Sequence, residues 1–191
     1  MKAEEVIFTR RTIRKFRQDP VPDEVIRGII EAARLAPSGA NRQPLKYLIV
    51  KEKKLQSELF RHLRFAGYIP DYRIEPYERP TLYVLVLVDK RIPTKYHCYD
   101  VGAAVENMML YAHSKGIGSC WVIAIDRDAI RKLFKIPDYF EIDCCVVFGY
   151  PAVKSFVEDA TDSIEYYLDE EGNFRVPKRR FEEIAFVDKI P

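Results

Sequence analysis

The sequence has no long hydrophobic run. Its longest apolar stretch, residues 82–88, is far shorter than the ~20 residues that a membrane helix needs, and residues 1–5 contain no apolar core of a signal peptide. We therefore expect a cytoplasmic protein with no membrane partner. Lysine plus arginine (31) and aspartate plus glutamate (29) nearly cancel, which leaves a net charge of +2. This balance provides no field that would recruit nucleic acid, so we expect no nucleic-acid partner either.

Motifs for metal binding and for nucleophilic catalysis are also missing. The cysteines Cys98, Cys120, Cys144 and Cys145 form no C-x-x-C pair, and the 3 histidines are scattered. Adjacent Cys144 and Cys145 would point to opposite faces of a strand. We therefore predict reduced, mostly buried thiols and no metal site. Because no Ser/His/Asp or Cys/His arrangement stands out, any chemistry would belong to a cofactor.

Hydrophobic periodicity predicts strands that alternate with helices. The predicted strands are residues 46–50, 82–88, 120–125 and 144–148, and the second of these is apolar on both faces, as is typical of a central strand. Helices are predicted from Pro22 until Pro37, over 53–66, over 100–115 and after Asp126 to 134. This order indicates a sandwich in which helices cover a mixed sheet.

The last part of the chain differs in composition. We predict one domain over residues 1–191, with 152–191 as a C-terminal arm, since a structureless tail of this length is uncommon unless it has a role such as wrapping a partner subunit. Inside it, residues 165–168 and 174–176 predict a hairpin with a turn at Gly172–Asn173.

Cations cluster near both ends of the chain. If residues 9–16 are extended, Arg10, Thr12 and Arg14 share one side and could line a groove with guanidinium and hydroxyl groups. The alternative is a solvated helix end. The second cluster is Lys178, Arg179 and Arg180, whose alternative is a charged surface tail. Together the two clusters could neutralise one phosphate dianion.

Two further segments are rich in small or polar groups. In residues 36–44, Ser38, Gly39 and Asn41 offer a hydroxyl, an open backbone and an amide, which suit a polyol chain or a heteroaromatic edge, although the segment could simply be a turn. Residues 116–122 join a helix to a strand, and Trp121 could belong to the core or to the wall of a flat pocket. This segment lacks the third glycine of a dinucleotide-binding fingerprint.

Taken together, these four segments resemble the nitroreductase family of FMN enzymes. The most specific pair is R-R-[ST]-x-R-x-F at residues 10–16 with A-P-S-x-x-N-x-Q-P at residues 36–44. The order of the other motifs agrees with it: Asp100-Val-Gly-Ala-Ala, Gly116-Ile-Gly-Ser-Cys-Trp, Gly149-Tyr-Pro and Pro177-Lys-Arg. The resemblance covers residues 8–188.

The resemblance implies an α+β, domain-swapped homodimer that binds FMN where the two subunits meet. Contacts to the phosphate, ribityl chain and pyrimidine side are implied for Arg10, Arg11, Thr12 and Arg14, with the phosphate grip completed by Lys178, Arg179 and Arg180. Contacts from the opposite subunit are implied for Pro37, Ser38, Gly39 and Asn41. The stretch along the flavin ring would be Trp121, Val122, Ile123 and Ala124.

The implied activity is electron transfer on FMN. Hydride from NADH or NADPH would enter at N5 and electrons would pass to a nitroaromatic, quinone or similar small acceptor by a ping-pong mechanism. No side chain is expected to be catalytic, and Arg14 would stabilise negative charge on the reduced flavin. Some members carry Glu-Gly where this chain has Ile123-Ala124, which puts a direct carboxylate contact to nicotinamide in doubt. The alternative is an FMN-binding carrier or sensor without turnover.

Overall fold

One strand, β2 (Leu82–Asp89), is buried along its whole length. In the computed structural model, which describes residues 1–190, it lies inside a four-stranded sheet. The other strands are β1 (Leu45–Val50), β3 (Gly118–Val122) and β4 (Phe140–Gly149), in the order β1-β2-β4-β3 with every neighbouring pair antiparallel. The apolar run on both faces thus predicts the position of β2 correctly.

Successive residues of the central strands enter two separate cores. Val84 packs into one core with Cys144, whereas Leu85 packs into the other with Cys145. This alternation is the period of two of a strand, and it confirms that the adjacent cysteines face opposite sides. Because both faces of the sheet are apolar, both must be covered.

Helices supply the cover. One face packs against α2 (Asp23–Arg34) and α4 (His97–Ser114), and the other packs against α3 (Lys53–Phe60) and α5 (Arg127–Phe134). Helix α1 (Ala3–Thr9) lies against α4. Asp126 begins α5 as predicted, since its carboxylate accepts a hydrogen bond from the Ala129 N–H at 3.0 Å. The α+β sandwich is therefore confirmed.

The segment after Pro151 is not structureless. It forms a second, mixed sheet from β5 (Ser155–Asp159), β6 (Tyr167–Leu168) and β7 (Phe174–Lys178), followed by the short helix α6 (Phe181–Ile184). Strands β6 and β7 are the predicted hairpin, and Gly172 has the φ of +77° that its turn requires. Phe174 is only 1% exposed within its own chain. The first part of the predicted arm thus packs on its own subunit.

Several predicted boundaries are wrong. The helix predicted over 53–66 ends at Phe60, because the next residues form tight turns and Leu63 then pairs with Ile125. The strand predicted over 120–125 runs from Gly118 to Val122, and the strand predicted over 144–148 extends over the whole of β4. Helix α4 begins at His97 rather than at residue 100. These ends depend on pairing with distant residues, which local periodicity does not reveal.

Gly118 has a role that the sequence did not indicate. It lies in β3 rather than in a turn, and a Cβ built on it would meet side-chain carbons of Ile13 at 2.9 Å. Ile13 is held in place because its N–H donates to the Ser119 carbonyl at 2.8 Å. Gly118 therefore allows the N-terminal segment to lie directly on the edge of the sheet.

Replacement of Gly118 by alanine tests this contact. We expect the free energy of unfolding to fall by about 1–3 kcal/mol, because the added methyl group overpacks a fixed neighbour. Urea denaturation followed by circular dichroism measures the change. Gly67→Ala is the matched control, since nothing lies within 4 Å of its added Cβ, and it should change stability by less than about 0.5 kcal/mol. Wild-type stability of Gly118→Ala would contradict the contact.

Candidate functional site

The first basic segment, residues 10–16, is extended, as the anion-site interpretation requires. Helix α1 ends at Thr9, and Thr12 then forms a parallel bridge with Ser119 on β3. Farther along, the Phe16 side chain covers Gly149, where a Cβ would lie 3.0 Å from its ring. Residues 10–16 therefore follow the outer edge of the main sheet and lie beside the third predicted segment.

Positive charge is concentrated where this segment begins. Nε of Arg10 forms an ion pair with the Glu106 carboxylate on α4 at 3.1 Å. Arg11 donates to the carbonyl of Phe8 at 2.8 Å and to that of Arg10. Partial burial, and then the charge of Arg10, lower the pKa of Arg11. In the described residues Arg10 pairs with Glu106 whereas Arg11 forms no ion pair, so the site can accept a further anion.

Arg14 has aromatic rather than acidic neighbours. Its Cζ lies 4.5 Å from the ring centroid of Phe174 and 4.7 Å from that of Tyr166. Its Nε is buried and has no hydrogen-bond partner within the described chain. An unsatisfied buried donor on a cation is unfavourable, so this arrangement suits a site that receives an electron-rich group.

The polar segment at residues 36–44 is held by a buried carboxylate. Asp100, which is 4% exposed, accepts hydrogen bonds from the hydroxyl of Ser38 at 2.8 Å and from the N–H of Gly39 at 2.9 Å. The Ser38 hydroxyl in turn accepts from the Gln43 N–H at 2.9 Å. Asn41 has a positive φ of 53° in this turn. Pro37 and Ser38 line a cavity of about 190 Å³ beside Asp100.

Asp100 is a positioning residue that the sequence analysis did not identify. It belongs to one of the resembling motifs, but no role followed from that. The available signal was an acidic residue within the mainly apolar helix α4, whose other inward positions include Val101 and Ala104. Burial of a carboxylate requires hydrogen-bond donors, and here the Ser38–Gly39 turn supplies them.

The basic segment at residues 10–16 and the polar segment at residues 36–44 contact α4 at different places. Asp100 and Glu106 are six residues apart, which corresponds to about 9 Å along the helix axis and about 120° around it. Ser38 and Arg10 therefore approach different flanks of one helix. Within one chain they do not meet, and the prediction that they meet across two subunits stays a prediction.

In the segment that begins at Gly116, residues 121–124 lie partly in the core and partly on the surface. Trp121 is half-buried against the core beside α4, and its Nε1 is buried without a partner in the described chain. Val122 is 3% exposed in the opposite core, so only its backbone could approach a ligand. Ile123 is 58% exposed, and Ala124 is exposed with its carbonyl bonded to the Arg64 N–H.

The basic cluster at residues 178–180 is exposed. Lys178 ends β7, and its carbonyl accepts from the Ala160 N–H at 2.7 Å, while Arg179 and Arg180 follow on the surface. The described contacts do not bring these cations to Arg10–Arg14. Convergence of the two basic clusters on one phosphate stays a prediction.

Two negative findings complete the description. None of the helices in residues 1–190 has the length and hydropathy of a membrane span. Over the same residues, His, Cys, Asp and Glu side chains do not form a group of three or more that could hold a metal ion.

Comparison with known proteins agrees with this geometry. The family model described as "Nitroreductase family" matches residues 7–150, which include the first three segments. A protein of Archaeoglobus fulgidus named "Putative NADH dehydrogenase/NAD(P)H nitroreductase" is 30% identical over 82% of this chain and 90% of its own. An iodotyrosine deiodinase of Thermotoga neapolitana is 26% identical over 74% of this chain and 84% of its own.

A solved structure shares the whole fold. It comes from Desulfovibrio desulfuricans and is described as "a putative nitroreductase in complex with FMN". It is 25% identical, covers 100% of this chain and 99% of its own, and has a TM-score of 0.72.

Replacement of Asp100 by alanine tests how the Ser38 turn is held. We expect a loss of about 1–3 kcal/mol in the free energy of unfolding, because the Ser38 hydroxyl and the Gly39 N–H lose their acceptor. Chemical denaturation measures it. Asp138→Ala is the control, since that side chain is 99% exposed, and it should cost less than about 0.5 kcal/mol. Equal effects of the two substitutions would show that Asp100 does not hold the turn.

Proposed function

The chain belongs to the nitroreductase family, and we propose that it is an FMN-dependent oxidoreductase that uses NADH or NADPH to reduce a nitroaromatic, quinone or similar small acceptor. The observation that carries this proposal is the Arg14 guanidinium, which belongs to the segment along the β3 edge, has a buried Nε without a hydrogen-bond partner and forms no ion pair in the described residues. A fixed cation of this kind stabilises negative charge on a reduced flavin.

The residues present fit a phosphorylated flavin. Glu106 pairs with Arg10 and Arg11 forms no ion pair in the described residues, so a phosphate would compensate the remaining charge. The buried Nε of Arg14 lacks a partner in the described chain, and a heteroaromatic edge could supply an acceptor. The FMN in the similar Desulfovibrio structure supports the same cofactor here.

The redox chemistry would belong to the cofactor. When bound, FMN would supply two-electron transfer between the nicotinamide donor and the acceptor, for which we propose ping-pong kinetics. The chain's own part is to bind and orient. Burial raises the pKa of the Cys120 thiol to about 11 and also raises the pKa of Cys144 and Cys145, so these thiols stay protonated and supply no nucleophile.

Exposed apolar side chains support a homodimer. Phe8 is 66% exposed on α1 and Leu35 is 65% exposed after α2. Beyond β7, Phe181, Val187 and Ile190 are 73%, 84% and 78% exposed. Surfaces of this kind favour protein contacts. We propose that the end of the predicted 152–191 arm, residues 179–190, wraps the partner, and that Arg179 and Arg180, together with Lys178 at the end of β7, reach the partner's FMN.

The relatives leave the acceptor open. The Archaeoglobus relative is named for nitroreduction with NAD(P)H and the Thermotoga relative for deiodination. One fold thus carries several reactions. NAD(P)H as donor is suggested by the former name, while Ile123-Ala124 offers no carboxylate for a nicotinamide contact.

Steady-state turnover tests the activity. With FMN-loaded protein, NADH or NADPH oxidation should depend on added menadione or nitrofurazone, and initial-rate lines at several acceptor concentrations should be parallel. Spectrophotometry at the nicotinamide absorbance band measures the rate. Intersecting lines would contradict ping-pong kinetics. FMN binding without turnover would instead favour a carrier or sensor.

Replacement of Arg14 by alanine tests the proposed cation. We expect about tenfold weaker FMN binding, since a hydrogen bond to a charged group is lost, together with a lower flavin reduction potential. Fluorescence titration of FMN and dye-linked reduction measure the two effects. Arg17→Ala is the matched control, because its side chain is 60% exposed and pairs with Asp19. Unchanged FMN affinity, spectrum and potential in Arg14→Ala would reject the role.

A further inference from the structure

Two aromatic rings form a corner around Arg14. The rings of Tyr166 and Phe174 stand edge to face at 60°, with centroids 5.8 Å apart. The Cζ of Arg14 lies 4.7 Å from the first centroid and 4.5 Å from the second. Both distances are within the range of cation–π attraction, so the guanidinium is held by two ring faces.

The corner itself is anchored. Phe174 is buried and makes an edge-to-face contact with Tyr72 at 5.5 Å. Tyr166 packs on Tyr68 at 5.0 Å, and its hydroxyl accepts from the Tyr68 N–H at 3.5 Å. The rings therefore have little freedom to follow Arg14, and Arg14 must adapt to them.

No carboxylate pairs with Arg14 in the described residues. Lys15, its neighbour in sequence, pairs with Glu78 at 3.0 Å, whereas Arg14 forms no ion pair in residues 1–190. Burial raises the pKa of Tyr72 to about 12, so that phenol carries no charge near neutral pH. Water exclusion by the rings lowers the local dielectric and strengthens the field of the guanidinium on any anion that it meets.

We infer that Tyr166 and Phe174 are positioning residues that fix the Arg14 guanidinium and so set how strongly it stabilises the reduced flavin. This inference rests on the proposed function. It assigns to the segment beyond Pro151 a role in the flavin site of its own subunit, separate from any contact that the last residues make with a partner. The physical reason is preorganisation, because a cation held before reduction costs nothing to reorient during it.

Removal of one ring tests the inference. Tyr166→Leu is suitable because Tyr166 is half-buried, whereas Phe174 lies in the core. The measurement uses holoprotein at saturating FMN in equilibrium with a redox dye. The ratio of reduced to oxidised flavin should fall about fivefold, because one cation–π contact is lost. Tyr166→Phe keeps the ring and should restore the ratio. Tyr167→Leu changes the neighbouring side chain, which is 48% exposed, and it should leave the flavin ratio unchanged.

The same substitution in an Arg14→Ala background identifies the route of the effect. If Tyr166 acts through Arg14, Tyr166→Leu changes the ratio no further in that background. A full additional fall there, or no fall in Tyr166→Leu alone, would overturn the inference. These results leave the oxidoreductase itself intact, since flavin uptake and turnover are measured in the same preparations. Failure of the wild-type protein to take up FMN would instead overturn the proposed function and the inference with it.

Discussion

A strand that is apolar on both faces cannot leave either face in water, and β2 imposes this condition on the whole molecule. Helices must cover both sides of the sheet, so the interior around β2 is filled with apolar side chains. The basic segment therefore lies at an edge of the sheet. At the edge formed by β3, residues 10–16 lie on the sheet through contacts with Ser119, and the cations of that segment therefore lie along this edge.

The positive charge at this edge is only partly compensated by carboxylates within the described chain. Within residues 1–190, Glu106 pairs with Arg10 but no carboxylate pairs with Arg11, and Arg14 lies against aromatic rings instead of carboxylates. Helix α4 meanwhile holds the Ser38 turn on a different flank, through Asp100. One subunit thus presents cations on one side and a polar turn on another. Two subunits that bring these surfaces together around an anionic cofactor would satisfy both, which is the physical sense of the proposed dimer.

Local signals determined most of the elements. The apolar run of β2, the Asp126 cap and the Gly172 turn each depend on neighbours within a few residues, and each appears where it was predicted. The opposite orientation of Cys144 and Cys145 follows from strand geometry alone. Motif order also identified the family, because its spacing between residues 10 and 44 is specific.

Only the tertiary structure decided which distant residues meet. From the sequence, Gly118 looks like part of a turn, but in the structure Ile13 packs directly on it. Asp100 likewise looks like one residue of an apolar helix, but in the structure it accepts a hydrogen bond from Ser38. The aromatic corner joins Arg14 to Phe174, far apart along the chain. Sequence periodicity specifies the face on which a side chain lies, but strand register and helix packing specify its opposite neighbour, and these are set by the assembled core.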